Sequence, residues 1–262
     1  MSKALREIKQ TLSICDVVVY VLDARAPISS VNPSLDKLSQ NKPVLYVINK
    51  IDMADEKRVK ELLPRFKGEN MDYVVLNSTA SGSSKVIRQK INQLAKTKID
   101  KLKAKGIKAV IRAIVVGVPN SGKSTLTNNL CGKAKTQTGN KPGVTKQVKW
   151  LSIGDNIELC DTPGTLYPNL ENQDIAKKLL FIGSIKDEVI VENVFLAEDL
   201  IELLRKKYPQ ELNGRYGEFS SLEDIAVKRG FKLSKDEYDI ERAANAVIDD
   251  FRKGRIGKIT LD

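Results

Sequence analysis

Three short segments carry residue types, at spacings, that could handle a nucleotide. Gly117-Val-Pro-Asn-Ser-Gly122-Lys123-Ser124 follows G-x-x-x-x-G-K-[ST] and lies between an apolar run and a helical pattern. Its glycines let the backbone curl so that N–H groups converge on phosphate oxygens, and the helix that follows adds its positive end. On this reading Pro119, Asn120, Ser121, Gly122 and Thr125 line the phosphates. Lys123 reaches the β- and γ-phosphates, and Ser124 ligates Mg²⁺. Asp161-Thr-Pro-Gly164 stands 37 residues after Ser124, at the end of a second apolar run. There Asp161 can hold Mg²⁺ through water, and Gly164, lacking a side chain, can bring its N–H to a γ-phosphate. In Pro142-Gly-Val-Thr145, Thr145 is the favoured second Mg²⁺ ligand, with Thr136, Thr138 and Thr162 as competitors.

The third segment selects the base. Asn49-Lys50-Ile51-Asp52 ends an apolar run. The Asp52 carboxylate can accept from the N1–H and the exocyclic amine of guanine. Adenine offers no such donor pair and would leave the carboxylate buried and unpaired. Asn49 and Lys50 brace the loop and cover the ring. Asn77-Ser78-Thr79, after the next run, is where a backbone N–H would meet guanine O6.

The elements that must position these loops are legible as a pattern. Asp16–Leu22 reads as a strand buried on both faces, Val44–Asn49 as another buried strand, Tyr73–Asn77 as a third strand and Lys108–Gly117 as the most apolar strand of the chain. Lys146–Ile153 and Asn156–Cys160 read as a hairpin around Gly154-Asp155. Between them the spacing predicts helices over 3–13, 32–39, 55–66 (kinked at Pro64) and 83–99, with 96–108 passing from helix end to linker. Alternating strand and helix indicates α/β architecture with a parallel sheet. From Asp174 the pattern is helical, over 174–182, 187–207, 221–229 and 236–253. Two units follow: a nucleotide-binding domain over 1–170 and a small all-α domain over 171–262.

Composition narrows the classes. No apolar run is long enough for a membrane span, no secretory leader is visible, and the three cysteines form no metal-type pair, so the expected compartment is the cytoplasm. With no histidine, no imidazole serves as acid, base or ligand. Net charge is +11, unevenly spread. Residues 1–170 hold 28 Lys/Arg against 14 Asp/Glu, and residues 171–262 hold 16 against 19. A basic first unit suits a polyanion such as RNA, or simply solvates helix faces. In the second unit Lys228-Arg229, Arg252-Lys253, Arg255 and Lys258 form basic spots for phosphates, although that half is slightly acidic overall.

The motif order is unusual. N-K-x-D and the Asn77-Ser78 loop precede the phosphate loop, Thr145 and D-x-x-G, whereas the common order of this fold begins with the phosphate loop. In that order, in Asp23-Ala-Arg-x-Pro27, and in Asp250-Phe-Arg-Lys-Gly-Arg-Ile-Gly257, the sequence resembles the circularly permuted ribosome-assembly GTPases of the YlqF/RbgA family. The resemblance implies a P-loop GTPase domain with a six-stranded, mostly parallel sheet in the order 5-6-4-1-2-3, numbered along this chain. It implies GTP/GDP and magnesium as ligands, with Lys123, Thr145 and Gly164 acting in slow hydrolysis. It also implies a ribosomal subunit or rRNA, the large subunit foremost, as partner, rather than a membrane or DNA. In the G-x-P-N-x-G-K-S form of the loop it implies that Asn120 helps bind potassium. The position after Gly164, where many relatives of the fold carry glutamine, is Thr165, followed by Leu166. The histidine with which bacterial members organise water has no counterpart in this sequence. A GTP-responsive RNA-binding scaffold that does not hydrolyse is therefore the alternative.

Overall fold

The computed structural model describes residues 3–39, 41–132, 150–162, 172–185, 193–235 and 237–262. Thr136, Thr138, Thr145 and Gly164 lie outside the described residues, as do residues 146–149 at the start of the expected hairpin.

Strand β1 (Val17–Asp23) is buried along its whole length. It sits between β2 (Val44–Asn49) and β4 (Ile111–Val116), parallel to both. Continuous apolar sequence is what such a position demands, because both faces of the strand are covered. Val17, Val19 and Val21 enter one core; Val18, Tyr20 and Leu22 enter the other. On the first face Ile87 and Ile91 of α4 (Ser83–Leu94) pack beside Leu126 and Leu130 of α6 (Lys123–Cys131). On the second lie Ile8 and Leu12 of α1 (Lys3–Ser13), Leu35 of α2 (Pro33–Ser39) and Val59 of α3 (Glu56–Leu62). The outer strands are β3 (Met71–Val75), β6 (Ile157–Asp161) and the short β5 (Leu151–Ser152), which alone runs antiparallel. The six-stranded order is β3-β2-β1-β4-β6-β5, the order expected for the permuted sheet read from its other edge.

Two helical expectations need correction. The stretch 83–99 is not one helix: α4 ends at Leu94, and α5 (Lys96–Ala104) follows as a separate helix with no buried residue. Lys96–Lys108 is thus mostly helix rather than mostly linker. The Pro64 kink is a 3₁₀ turn over Leu63–Phe66 that continues α3, whose start is capped by Asp55 accepting from Lys57 N and Arg58 N.

The C-terminal region comprises α7 (Gln173–Phe181), α8 (Asn193–Lys207), α9 (Pro209–Tyr216), α10 (Leu222–Arg229) and α11 (Ile240–Arg252). Helix α9 had no counterpart among the expected helices, yet Pro209 at its first turn is a usual start signal. Ser221 and Asp224 form a capping box at the start of α10. Leu196, Leu200, Leu204, Val247 and Phe251 make the centre of this core, and Ala26 and Val118 from the sheet unit join it. Residues 256–261 then return to the sheet: Ile259 N donates to Met53 O and Leu261 N to Arg25 O. Asp262 closes the strap, its carboxylate accepting from Ile28 N, Ser29 N and the Ser29 hydroxyl.

Candidate nucleotide-binding site

The C-terminal ends of β1, β2 and β4 meet at one edge of the sheet, the usual place for ligands in open α/β folds. After Val116 the chain turns at Gly117, with φ +148°; a Cβ there would lie 2.3 Å from Val21 O. Asn120 and Gly122 also take positive φ, at 57° and 98°. Gly122 is the N-cap of α6 and offers no side-chain cap. The first N–H groups of that helix are therefore left for a ligand. Lys123 is buried, and its ammonium donates to Val118 O at 2.8 Å. Ser124 and Thr125 are exposed beside it, whereas Ser121 is buried with its hydroxyl on Val118 O. This is a cradle with no room for side chains at its glycines, and it fits a polyphosphate.

Asn49 joins the loops. Its amide NH₂ donates to Ser121 O at 2.9 Å, and its amide oxygen accepts from Ser78 N at 2.9 Å. A Cβ on Gly122 would come within 2.2 Å of that NH₂, so glycine is required for the two loops to touch. Lys50 sits at φ 63°, the bend that ends β2 and turns Asp52 outward into an exposed 3₁₀ turn over Ile51–Met53. Ser78 is buried, and its carbonyl and the Ser83 hydroxyl accept from the Asn129 amide of α6. Asn77 stabilises its own turn, accepting from Thr79 N and Oγ1. Asp161 ends β6 next to Val115 of β4, and the Thr162 hydroxyl donates to Val115 O at 2.6 Å. Among the described residues no cluster of three carboxylate, thiol or imidazole groups could cage a metal. A magnesium ion here would lean on phosphate oxygens, water and hydroxyls such as that of Ser124, which is its habit in phosphoryl-transfer sites.

Sequence reasoning left two features without a role. The first is Asp23-Ala-Arg25. The Asp23 carboxylate is buried at the end of β1 and accepts from Arg25 Nε and Nη2 at 2.9 and 2.7 Å and from Lys50 Nζ at 2.9 Å. Burial works to raise its pKa, but the charges and hydrogen bonds of Arg25 and Lys50 outweigh it and hold the group at about 2. Lys50 Nζ also reaches Asn120 O at 2.5 Å. Arg25 turns the other way: Nη1 donates to Arg252 O at 3.0 Å, Nη2 to Ile182 O at 3.4 Å, and its plane lies over Phe251. The second feature is Gly183-Ser184, just after α7. The Asn120 amide donates to Gly183 O at 2.6 Å, and the Ser184 hydroxyl to Pro119 O at 2.8 Å. The phosphate loop and the base-loop lysine are thereby tied to the C-terminal helices. A carboxylate ending an all-buried strand, two residues before an arginine, was the available signal for the first feature. The second had none.

The basic spots of the C-terminal half have internal partners. Arg215, Arg229 and Arg255 converge on Asp250, and Arg252 donates to Leu180 O and Phe181 O. Lys228 donates to Tyr216 O, Lys253 pairs with Asp249, and Lys258 with Glu56.

A phosphate loop, an N-K-x-D turn and a Ser78 loop braced together on parallel strand ends, with the base loops first in sequence, define a circularly permuted P-loop GTPase domain. The comparisons agree with this geometry. A family model described as 50S ribosome-binding GTPase matches residues 112–212, which begins with the strand leading into the phosphate loop and omits the base loops ahead of it. Ribosome biogenesis GTPase A of Bacillus cereus is 37% identical over 271 residues, spanning all of this chain and 91% of that protein. The protein of the same name from Thermotoga maritima is 34% identical, again over the whole chain and 91% of its own length. The crystal structure of GNP-bound YlqF from T. maritima superposes with a TM-score of 0.72 at 30% identity, covering 100% of this chain and 98% of that one. The chain belongs to the ribosome biogenesis GTPase A family, the YlqF/RbgA GTPases.

Proposed function

We propose that this chain is a GTP-hydrolysing switch in ribosome assembly, acting in the cytoplasm on the large subunit or its rRNA. The observation that carries the nucleotide assignment is the double hydrogen bond of Asn49, which holds the base loop, the Ser78 loop and the phosphate loop in one frame. Asp52, exposed beside that frame, recognises guanine. The Ser78 N–H is already taken by Asn49, so the contact to O6 falls to a neighbouring N–H of that loop or needs Ser78 to turn. Relatives named for ribosome biogenesis and a family model named for 50S binding support the choice of partner. Residues 1–170 form the nucleotide unit in this reading, and 171–262 the part that reports its state.

Lys123 leaves Val118 O to reach the β- and γ-phosphates. Pro119, Ser121, Gly122 and Thr125 border the chain of phosphates, and Gly164 and Thr145 close on its end. Ser124, Thr145 and water on Asp161 hold magnesium, which when bound neutralises charge on the phosphate oxygens. Asn120 uses its NH₂ on Gly183 and keeps its amide oxygen for a potassium ion. With neither glutamine after Gly164 nor any histidine, intrinsic turnover is slow, on the order of 10⁻⁴–10⁻³ s⁻¹, and the ribosomal partner accelerates it. Single-turnover hydrolysis, with and without 50S or 30S particles and in potassium against sodium, tests this. Stimulation by 50S particles in potassium is expected. Turnover above about 1 s⁻¹ without particles refutes the slow switch, and no hydrolysis under any condition makes the chain a GTP-responsive scaffold.

A further inference from the structure

Residues 85–112 contain ten Lys/Arg and a single acidic residue, Asp100, a surplus of nine within a chain whose net charge is +11. Four of these cations are engaged: Arg88 with Asp155, Lys90 with Asp72, Lys98 with Asp16 and Arg112 with Glu158. The other six, Lys85, Lys96, Lys101, Lys103, Lys105 and Lys108, are exposed, and their ammonium groups have no hydrogen bond or ion pair with any described residue. Five of them lie on α5 and its continuation. That helix is held by little: Ile99 packs partly against the sheet core, Leu102 is half-buried, and no residue is fully buried. An ordinary solvated helix intersperses both signs of charge and buries a stripe. This one has a single acid, Asp100, and buries no residue fully.

From this we infer that α5 and the segment to Lys108 are the surface that grips the phosphate backbone of helical RNA. The inference rests on the ribosomal role proposed above and names the face that serves it. Lysine is a hydrated point charge suited to phosphates and poor at bidentate base reading. Residues 85–110 contain no aromatic on which an unpaired base could stack. A membrane-surface helix needs a broad apolar face; α5 exposes no large apolar residue, and Ile107 and Val110 are exposed beyond its end. Position supports the same reading. The segment feeds the N-terminal end of β4, and Lys98 reaches Asp16 just ahead of β1, so the lysines lie at the sheet end opposite the nucleotide loops. RNA held there leaves the GTP edge open.

The test uses the full chain and a quadruple variant, Lys101→Gln, Lys103→Gln, Lys105→Gln and Lys108→Gln. A control removes the same charge elsewhere, at Lys37, Lys57, Lys60 and Lys235. The probes are an RNA duplex of about 20 base pairs, isolated 50S and 30S subunits, and anionic phospholipid vesicles, each titrated across a range of KCl. The quadruple variant should bind duplex and subunits about 10- to 100-fold more weakly near 0.1 M salt, with a log–log salt slope shallower by about 2 to 3. GTP affinity should be unchanged, and the control should match wild type. Equal loss in the control and the quadruple variant, or no loss in either, overturns the surface while leaving the ribosomal role intact. Vesicle binding that falls in the quadruple variant while RNA binding does not also overturns it. If wild type binds neither RNA nor subunits in any nucleotide state, the ribosomal reading itself fails.

Discussion

Cations at two places in this molecule meet opposite circumstances. At or near the seam between the sheet and the C-terminal helices, three nearly buried carboxylates each gather charge from their own half. Asp23 holds Arg25 and Lys50; Asp250 holds Arg215, Arg229 and Arg255; Asp262 holds Lys178. On α5 the lysines face water, and among the described residues only Lys98 has a carboxylate partner. Counting basic residues makes both regions candidates for a polyanion. Locating their partners separates them. The carboxylates hold their cations within each half, from which Arg25 reaches across to Arg252 O and Ile182 O, and α5 leaves its charges free for something outside.

Asp23→Asn should break the seam most severely. It leaves the buried Arg25 guanidinium without its counter-charge, a situation that costs about 3–5 kcal/mol, to be read as a lowered urea midpoint. Lys50 loses its support as well, so GTP affinity should fall by at least about tenfold. The pH dependence has a definite sign. The folded-state pKa of Asp23 is depressed to about 2, so its contribution is present above the unfolded value near 4 and is lost as pH falls toward 2. Wild type should lose stability across that window, and Asp23→Asn should lose less. An unchanged midpoint at neutral pH would mean that the seam charges do not hold the halves together.

Asp250→Ala comes next, with an expected loss of about 2–4 kcal/mol. Burial raises the pKa of Asp250, but hydrogen bonds from Arg215 and Arg255 outweigh it and keep it below the usual carboxylate range. The loss should be smaller than for Asp23 because Arg215 and Arg229 are partly exposed and can turn to water. Equal losses at the two sites would remove burial of the partner as the deciding variable.

What the sequence could convey divides along the same line. The strands were legible because β1, β2 and β4 are mostly apolar, and the sheet order followed from the family resemblance that the motif order carries. The loops that bind nucleotide were legible because their chemistry needs fixed residue types at short spacing. Partnership across the fold was not. Arg25 and Arg252 are 227 residues apart, and Arg215 and Asp250 are 35 apart, so the sign of a side chain said nothing about what would meet it. That is why Arg252–Lys258 looked like a phosphate site although its cations have partners within the chain. The stretch holding α5 was read as a helix end passing into linker because Lys96–Lys108 lacks an apolar stripe, and that same absence leaves it barely attached.

Ser184→Ala probes the seam more gently. It removes one hydroxyl from Pro119 O and should cost about 1 kcal/mol of stability or less. Its sharper readout is the GTP dissociation constant, expected to rise about two- to fivefold if contact with the C-terminal helices helps set the phosphate loop. A fall in stability with no change in nucleotide affinity would reduce the contact to packing.

The smallest effect on stability is expected where the charge is greatest. Neutralising Lys101, Lys103, Lys105 and Lys108 removes no hydrogen bond, fills no cavity and exposes no core, so the unfolding free energy should move by no more than about 0.5 kcal/mol. At low ionic strength the direction should be toward greater stability, because four like charges close together in the chain repel each other and that repulsion is relieved; added salt should erase the gain. A loss above about 1 kcal/mol would mean that these lysines do have partners within the fold, and α5 would then belong with the seam rather than opposite it. A near-zero change, set beside the large loss at Asp23, would separate the charges that build this protein from the charges it offers.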